Sequence, residues 1–256
     1  MRVTAIQLEV CDRPKAATRD HMMQLLERAR GSDLILLPEM WPVGYFSFSR
    51  YRREAESISG PTVQALRAKA KDLRTTLFTG SFVERRGSLL YNTSLLINPK
   101  GLITARYRKI HLFGFKSDER RLLTPGRRIS VTDQRWGRTG LATCYDLRFP
   151  ELFRRMLDRG AEFFLVASAW PEVRQDAWIL FNRARAHENL AYGFACNCAG
   201  SEHGRRYAGH SLFINPHGEV IAEAGKGEEL LTADIDPGAV RKARTEFSAL
   251  DDRVFT

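Results

Sequence analysis

Apolar residues along the chain form strand-like stretches that alternate with helical spacings from one end to the other. Residues 3–10 alternate between apolar and polar, residues 34–37 form a continuous apolar run, and each stretch predicts a strand. The segment between them predicts a helix, because four apolar residues recur there at helical spacing: Met22, Leu25, Leu26 and Ala29. Strands that alternate with helices are typical of α/β folds.

The rest of the chain continues this alternation without a linker. In chain order, the pattern predicts a helix opened by Gly60-Pro61, a strand at 75–84, a hairpin from Tyr91 to His111, a strand at 139–144, a helix from Pro150 to about Arg159, a strand at 163–169, a long helix near 172–192 and strands from 193 onward. We therefore expect one α/β domain over residues 1–256.

One phrase occurs twice in the sequence. Ser94-Leu-Leu-Ile-Asn-Pro-Lys-Gly and Ser211-Leu-Phe-Ile-Asn-Pro-His-Gly each predict a strand that ends in a tight turn, with Pro and Gly where the turn needs a fixed or a permissive φ. Two copies are too few for a stacked repeat protein. The repeat instead indicates two similar halves related by internal pseudo-symmetry.

Composition narrows the class of protein. The chain has 256 residues, of which 43% are hydrophobic and 27% charged, close to the average for globular proteins. No apolar run approaches the length of a membrane span, so we expect no membrane partner. The first residues enter a strand-like alternation at once, without the features of a signal peptide, and we take the cytoplasm as the default location.

The net charge of +10 raises the question of a nucleic-acid partner. The basic residues are dispersed as pairs, such as Arg52-Arg53 and Arg205-Arg206. Nucleic-acid-binding proteins more often concentrate their basic residues in a stripe with stacking aromatics or in a recognisable module. We therefore expect a solvated basic surface and no nucleic-acid partner.

The four cysteines are too few and too unevenly spaced for a disulfide framework in a chain of this length, so we expect free thiols. Cys144 lies between a predicted strand and a predicted helix opened by Pro150. This position suits a nucleophile, because amides near a helix start favour the thiolate. We expect the other three cysteines to be small buried residues: Cys11, Cys196 and Cys198.

Three reactive side chains each follow a predicted strand: Glu39, Lys109 and Cys144. Because ligands of open α/β sheets bind beyond the carboxyl ends of the strands, we expect the three to converge in one active site. A carboxylate base, an oxyanion-stabilising ammonium and a thiol suit acyl transfer through a thioester. A solvated strand-end Glu39 and an exposed Lys109 are the open alternatives. We expect His111 to support the site by hydrogen bonding rather than to act as the base.

These motifs carry a family resemblance. Leu-Pro-Glu-Met, Tyr-Arg-Lys-Ile-His-Leu-Phe and Cys-Tyr-Asp-Leu-Arg-Phe-Pro-Glu, with further matches along nearly the whole chain, resemble the nitrilase superfamily of carbon–nitrogen hydrolases. The resemblance implies that Glu39 is the general base, Lys109 the oxyanion stabiliser and Cys144 the nucleophile. It implies the backbone amide of Tyr145 as the second oxyanion donor. It also implies a second glutamate that orients the lysine, for which Glu119 fits better than the adjacent Asp118.

The resemblance further implies a fold and an assembly. The family fold is a four-layer αββα sandwich with internal pseudo-two-fold symmetry, which agrees with the repeated phrase in this sequence. Members usually pair into homodimers across helical faces. The reaction needs neither a cofactor nor a metal.

Within the superfamily, Ala169-Trp170-Pro171 followed by Arg174 most resembles the ω-amidase branch. Those enzymes hydrolyse the terminal amide of 2-oxoglutaramate and 2-oxosuccinamate and release ammonia. Such a substrate is an anion, and Arg174 is our candidate to bind its carboxylate. Tyr45, Tyr145 and Trp170 are candidates for the pocket walls, although core packing is an equal interpretation.

Other functions fit the same sequence. A hydrolase of N-carbamoyl amines or of simple aliphatic amides would carry the same triad. A catalytically silent binding protein is an alternative of another class, because α/β folds host many roles. A zinc protein is a third, but Cys-x-Cys lacks the usual spacing in the set of candidate ligands, which are Cys196, Cys198, His203 and His210.

Overall fold

The structure, a computed structural model, describes residues 1–254, so the last two residues of the predicted domain lie outside it. The helices are α1 (Lys15–Arg28), α2 (Tyr51–Glu54), α3 (Pro61–Leu73), α4 (Glu119–Leu122), α5 (Pro150–Leu157), α6 (Gln175–Glu188) and α7 (Ala239–Glu246). The strands are β1 (Arg2–Gln7), β2 (Glu9–Val10), β3 (Leu34–Leu36), β4 (Thr76–Arg86), β5 (Leu89–Ile97), β6 (Ile103–Arg108), β7 (Val131–Gln134), β8 (Gly137–Thr143), β9 (Phe163–Ala167), β10 (Tyr192–Cys196), β11 (Ala199–Glu202), β12 (Arg205–Arg206), β13 (Leu212–Ile214), β14 (Val220–Glu223) and β15 (Glu229–Asp234).

Two six-stranded sheets dominate the fold, in the orders β15-β1-β3-β4-β5-β6 and β14-β13-β10-β9-β8-β7. Strands β1, β3 and β4 are parallel in the first sheet, as are β8, β9 and β10 in the second. Helices α1 and α3 connect the first parallel set, and α5 and α6 connect the second. A small three-stranded sheet, β12-β11-β2, lies beside them.

The alternation of side chains within the strands builds four layers. Leu34 and Leu36 on β3 belong to a core cluster that also contains Phe163 and Leu165 on β9, so the two sheets face each other. Ile35 between them points the other way, into a second cluster with α1 and α3. A third cluster joins the outer face of the second sheet to α5 and α6. The predicted αββα sandwich is confirmed.

The two halves of the chain correspond strand by strand. In the first half, Leu36 pairs with Phe78, which pairs with Leu96. In the second half, three residues repeat that ladder: Leu165 pairs with Phe194, which pairs with Phe213. The Asn-Pro turns of the repeated phrase follow Leu96 and Phe213 at the same distance, as the pseudo-symmetry predicts.

Three elements differ from the prediction. The strand expected at 3–10 is interrupted at Leu8, because β1 pairs with β3 and β15 whereas β2 pairs with β11 of another sheet. The helix expected near 172–192 begins as a 3₁₀ turn at Glu172–Arg174 and ends at Glu188. Helix α7 was not predicted, and its Val240 packs into the core between the sheets.

Phe194 tests the core between the sheets. Its ring is fully buried and packs edge-on against Phe213 at a centroid distance of 5.2 Å. We expect Phe194→Ala to lower the free energy of unfolding by about 3–5 kcal/mol, because it loses apolar burial and leaves a cavity. The matched control is Phe247→Ala, since Phe247 is 63% exposed; we expect a change within about 0.5 kcal/mol. Equal losses in urea-denaturation curves would contradict this assignment of the core.

Candidate active site

Three strand ends bring the predicted reactive residues together. Glu39 lies just beyond β3, Lys109 directly after β6 and Cys144 directly after β8. The first two come from one sheet and the third from the other. The site therefore lies where the two halves of the chain meet.

Two glycines allow the backbone to approach closely beside Glu39 and Lys109. Gly80 has a φ of +62°, and a Cβ there would meet the Pro38 carbonyl oxygen at 2.0 Å. Gly126 donates its amide to the Lys109 carbonyl at 2.8 Å, and a Cβ on it would meet the Arg108 carbonyl oxygen at 2.0 Å. A larger residue at either glycine would clash with the backbone beside Glu39 or Lys109.

The Lys109 ammonium is fully buried between two carboxylates. Its Nζ donates to Glu39 Oε1 at 2.9 Å and to Glu119 Oε1 and Oε2 at 2.9 and 3.0 Å. Asn92 Nδ2 bridges the same carboxylates, at 2.8 Å from Glu39 and 3.1 Å from Glu119. The Tyr45 hydroxyl donates to Glu119 Oε2 at 3.1 Å. Each carboxylate oxygen of this buried cluster has a donor, as buried charges require, since the Ala169 amide donates to Glu39 Oε2 at 2.9 Å.

Burial and the neighbouring charges have opposing effects on the pKa values of Glu39 and Lys109. Burial raises the pKa of Glu39, the Lys109 charge opposes this and the Glu119 charge adds to it. Burial alone would lower the pKa of Lys109, but Glu119 and Glu39 raise it well above its usual value. Lys109 is therefore a fixed cation, and Glu39 is a carboxylate that takes up a proton more readily than in water. Glu39 is not solvated and Lys109 is not exposed, which removes both open alternatives.

Cys144 occupies a strained turn between β8 and a short 3₁₀ helix. Its φ is +47°, a left-handed conformation that non-glycine residues rarely adopt. A reciprocal capping box between Thr143 and Asp146 fixes this turn. Asp146 also accepts hydrogen bonds from Tyr107 Oη at 2.6 Å and from the amide and Nδ1 of His111 at 3.1 and 2.7 Å. The Asp146 carboxylate thus ties the nucleophile turn to the segment that follows Lys109, and His111 has the supporting place expected for it.

The resting Cys144 thiol is strongly biased toward its protonated form. Burial raises its pKa, the Glu39 charge raises it further, and the Lys109 charge lowers it. A hydrogen bond donated by the thiol in turn lowers the pKa of Glu39, as the smallest of the causes that act on it. Once the thiol proton moves to Glu39, the negative charge that opposes a thiolate is neutralised, while the Lys109 charge that favours a thiolate remains.

A cavity of about 510 Å³ opens onto Cys144. The three predicted wall residues line it, as does the predicted carboxylate-binding residue Arg174: Tyr45, Tyr145, Trp170 and Arg174. Trp170 is held in place by its indole Nε1, which donates to the Arg174 carbonyl at 2.8 Å. The Arg174 guanidinium lies 5.6 Å from the Phe113 ring centroid and 5.8 Å from that of Phe115. The cavity is thus largely aromatic around the thiol.

Charge in the cavity is one-sided. Five basic side chains line it, namely Lys116, Arg148, Arg174, Arg205 and Arg206, against a single acidic one, Glu172. The Glu172 carboxylate is already paired with Lys226 at 3.0 Å. Within residues 1–254, no carboxylate lies within ion-pair distance of the Arg174 guanidinium. The cavity therefore offers free positive charge to an anionic ligand.

Sequence reasoning missed several residues of the site. Asn92 donates to the Glu39 carboxylate, Asp146 accepts from the Thr143 amide beside Cys144, and Arg148 lines the cavity. A buried polar residue inside an apolar strand was the available signal for Asn92. Sequence reasoning also missed Glu202. This buried carboxylate accepts hydrogen bonds from Tyr207 Oη at 2.7 Å and from the Phe46 amide at 2.8 Å.

The structure also shows where the other cysteines and the metal-type ligands lie. Cys196 and Cys198 are buried as expected, but Cys11 is exposed, because it follows β2 where the chain leaves the small sheet. In the described part of the chain, one group of three metal-type ligands lies within 4.8 Å, formed by Asp12, Glu202 and His203. It contains no cysteine, and both Glu202 oxygens already accept hydrogen bonds, Oε2 from Tyr207 and the Phe46 amide and Oε1 from the Ser47 hydroxyl.

A family model described as carbon-nitrogen hydrolase matches residues 2–245. The chain belongs to this family. It is therefore a hydrolase that acts on amide carbon–nitrogen bonds, and the resemblance to the nitrilase superfamily is confirmed.

Several relatives of this carbon–nitrogen hydrolase carry a more specific name. A protein of Paenarthrobacter nicotinovorans named 2-oxoglutaramate amidase is 36% identical over 230 residues, which cover 87% of this chain and 78% of that protein. Omega-amidase NIT2 of Homo sapiens is 34% identical over 257 residues, 96% of this chain and 92% of that protein. The crystal structure of Saccharomyces cerevisiae Nit3, a member of branch 10 of the nitrilase superfamily, matches with a TM-score of 0.92 and 31% identity, covering 100% of this chain and 97% of that one.

The hydrolase shows no transmembrane helix among residues 1–254, since none of the helices there is long and apolar enough to cross a bilayer.

Glu39→Gln tests the electrostatic balance around the thiol. The Glu39 charge raises the pKa of Cys144, so removing it lowers that pKa and increases the thiolate fraction at any pH below it. We expect faster alkylation of Cys144 by iodoacetamide across pH 7–9, with amide hydrolysis slowed at least about 100-fold because the base is lost. Cys11 is exposed and reacts too, so the rate is read on the Cys144 peptide by mass spectrometry.

Glu119→Gln is the matched control for Glu39→Gln. It makes the same chemical change on the other side of Lys109, but Glu119 is not among the main causes of the Cys144 shift. We expect a smaller acceleration of alkylation than in Glu39→Gln. Slower alkylation in Glu39→Gln than in the unaltered protein would contradict the charge balance described above.

Proposed function

We propose that the protein is an ω-amidase, which hydrolyses the terminal amide of a small keto-acid amide such as 2-oxoglutaramate and releases ammonia. The observation that carries the proposal is a buried thiol, beside a Glu-Lys-Glu cluster, at the floor of a cavity with unpaired positive charge. The names of the relatives from Paenarthrobacter nicotinovorans and Homo sapiens support the same substrate class.

In the proposed first half-reaction, Glu39 accepts the proton of Cys144 and the thiolate attacks the amide carbon. The carbonyl oxygen becomes an oxyanion that Lys109 and the backbone amide of Tyr145 stabilise. Tyr145 is the second residue of the 3₁₀ turn, and the first amides of such a turn have no acceptor within it. The carbon–nitrogen bond then breaks, and ammonia leaves with the proton that Glu39 returns.

In the proposed second half-reaction, water replaces ammonia and Glu39 accepts its proton. Hydroxide attacks the thioester carbon, the carbon–sulfur bond breaks and the Cys144 thiolate recovers the proton from Glu39. Glu119 orients Lys109 throughout, since its carboxylate accepts two hydrogen bonds from the ammonium. One carboxylate thus handles the protons of both halves, and neither step needs a metal or a cofactor.

Substrate choice follows from the free charge around the cavity. A keto-acid amide carries a carboxylate at the end opposite the reacting amide. The Arg174 guanidinium has no carboxylate partner in the described chain and is held among Phe113 and Phe115, so a substrate carboxylate can form a bidentate pair with it. The aromatic lining then surrounds the carbon chain between the two ends.

We also propose that the hydrolase pairs as a homodimer across its helical faces and resides in the cytoplasm as a single domain. Leu180 on α6 is 63% exposed, an apolar side chain on an outer helix that a partner would cover. Light scattering coupled to gel filtration measures the mass: we expect twice 29.2 kDa. A monomer at micromolar concentration would contradict the dimer.

Ammonia release tests the activity. We expect turnover of 2-oxoglutaramate and 2-oxosuccinamate well above that of N-carbamoyl-β-alanine and short aliphatic amides. Cys144→Ala should abolish turnover and keep the circular dichroism of the fold. Release from another amide class alone would retain the chemistry and overturn the substrate, whereas retained turnover in Cys144→Ala would overturn the mechanism. No turnover of any amide would favour the silent binding protein.

Arg174→Gln tests recognition of the carboxylate. Because a charge-assisted bidentate pair is lost, we expect KM for 2-oxoglutaramate to rise about 10- to 100-fold with a smaller change in kcat. KM for a neutral aliphatic amide should stay nearly constant. Arg86→Gln, at an exposed arginine near the end of β4, is the control for net charge. Equal KM values for Arg174→Gln and Arg86→Gln would show that Arg174 does not bind the substrate.

A further inference from the structure

Ser168 is a buried residue with an unexplained hydroxyl. It follows β9 directly, and its main chain is fixed by three hydrogen bonds, to Cys196 at 2.8 Å and from Glu39 and Cys198 at 3.1 Å each. Its side-chain oxygen is buried and has no hydrogen-bond partner among residues 1–254. A buried hydroxyl without a partner costs stability, so natural proteins contain few of them. Another role must therefore account for Ser168.

The strand register places Ser168 beside the nucleophile. Thr143 on β8 pairs with Ala167 on β9 in a parallel ladder, so Cys144 and Ser168 leave neighbouring strands side by side. No side-chain repacking is needed to bring them together, because adjacent strands in a sheet lie less than about 5 Å apart.

The pseudo-symmetry of the fold gives Ser168 a second distinction. Glu39 lies three residues after Leu36, and Ser168 lies three residues after Leu165, the counterpart of Leu36 in the second half. Ser168 is therefore the counterpart of Glu39. Equivalent positions of the two halves thus lie beside one thiol, that of Cys144.

The Cys144 thiolate requires a hydrogen-bond donor, and the Ser168 hydroxyl can supply it. Burial and the Glu39 charge raise the pKa of Cys144 and the Lys109 charge lowers it, and a hydrogen bond that the Ser168 hydroxyl donates once the sulfur is charged would lower it as well. A neutral thiol is a weak acceptor, but a thiolate accepts a charge-assisted hydrogen bond. A hydroxyl that is idle at rest can thus become occupied when the sulfur is charged.

We propose that Ser168 is a further catalytic residue whose hydroxyl donates a hydrogen bond to Cys144 Sγ as the thiolate forms. The S–H bond breaks, the proton forms an O–H bond on Glu39, and Ser168 keeps its own proton throughout. No covalent bond to Ser168 forms or breaks. The inference rests on the proposed role of Cys144 as the nucleophile.

Ser168→Ala removes the hydroxyl and leaves the backbone and the β-carbon. We expect Cys144 alkylation by iodoacetamide to slow about tenfold at each pH between 7 and 9, the equivalent of about one pH unit. We expect kcat/KM for the amide to fall about tenfold, with KM nearly unchanged. Thermal stability should stay constant or rise, because the variant loses a buried group that had no partner.

Ser32→Ala is the matched control. Ser32 is also buried, but it precedes β3, and its hydroxyl is bonded to Thr4 Oγ1 at 2.7 Å. We expect this variant to lose stability and to keep the alkylation rate of Cys144. An unchanged alkylation rate in Ser168→Ala would overturn the proposal, whether or not KM rises. Since alkylation needs no substrate, that outcome is separate from retained turnover in Cys144→Ala, which would overturn the proposed function itself.

Discussion

The buried ammonium of Lys109 is the interaction on which the rest of the site depends. An ion of this size loses several kcal/mol of hydration when it leaves water, and only well-placed opposite charges return it. Glu39 and Glu119 supply those charges from beyond β3 and from α4, and Asn92 on β5 holds both carboxylates. The strand ends must therefore meet in one geometry. The condition that makes the cation tolerable also assembles the catalytic residues.

The chemistry and the charge recognition occupy different parts of the cavity. The thiol and the carboxylates lie at the floor, where burial amplifies every charge. The arginines that line the cavity are more exposed than the thiol, and three of them, Arg148, Arg174 and Arg205, lie beside aromatic rings. Arg148, for example, lies 5.5 Å from the Trp170 ring centroid and 5.1 Å from that of Phe181. Stacking fixes a guanidinium without neutralising it, so the positive charge remains available.

The sequence alone predicts most of this arrangement, and the exceptions have physical reasons. The apolar periodicity predicts β3, β9 and the helices around them, because burial on one face imposes it. It misses α7, whose only buried residues are Val240 and Ala243, too few for a helical pattern. The interruption at Leu8 depends on which sheet each strand joins, and a local pattern does not contain that information.

The candidate site divides in the same way. Glu39, Lys109 and Cys144 are indicated by motifs that follow predicted strands, whereas Glu119 is indicated only by the family resemblance. Arg174 could be proposed but not singled out among many arginines, since its distinction is a tertiary one: it lies beside two aromatic rings and forms no ion pair within residues 1–254.

Because the two halves of the chain correspond, substitutions in either half have consequences for the other. Cys144 lies three residues after Leu141, and the counterpart position after Ala5 is Leu8, a buried leucine. The two similar halves therefore do not form two active sites, because Glu39 lies in the first half and Cys144 in the second. Cut between the halves, the chain would give two fragments without chemistry. A substitution that shifts the strand ends of either half therefore alters the one site to which both halves contribute.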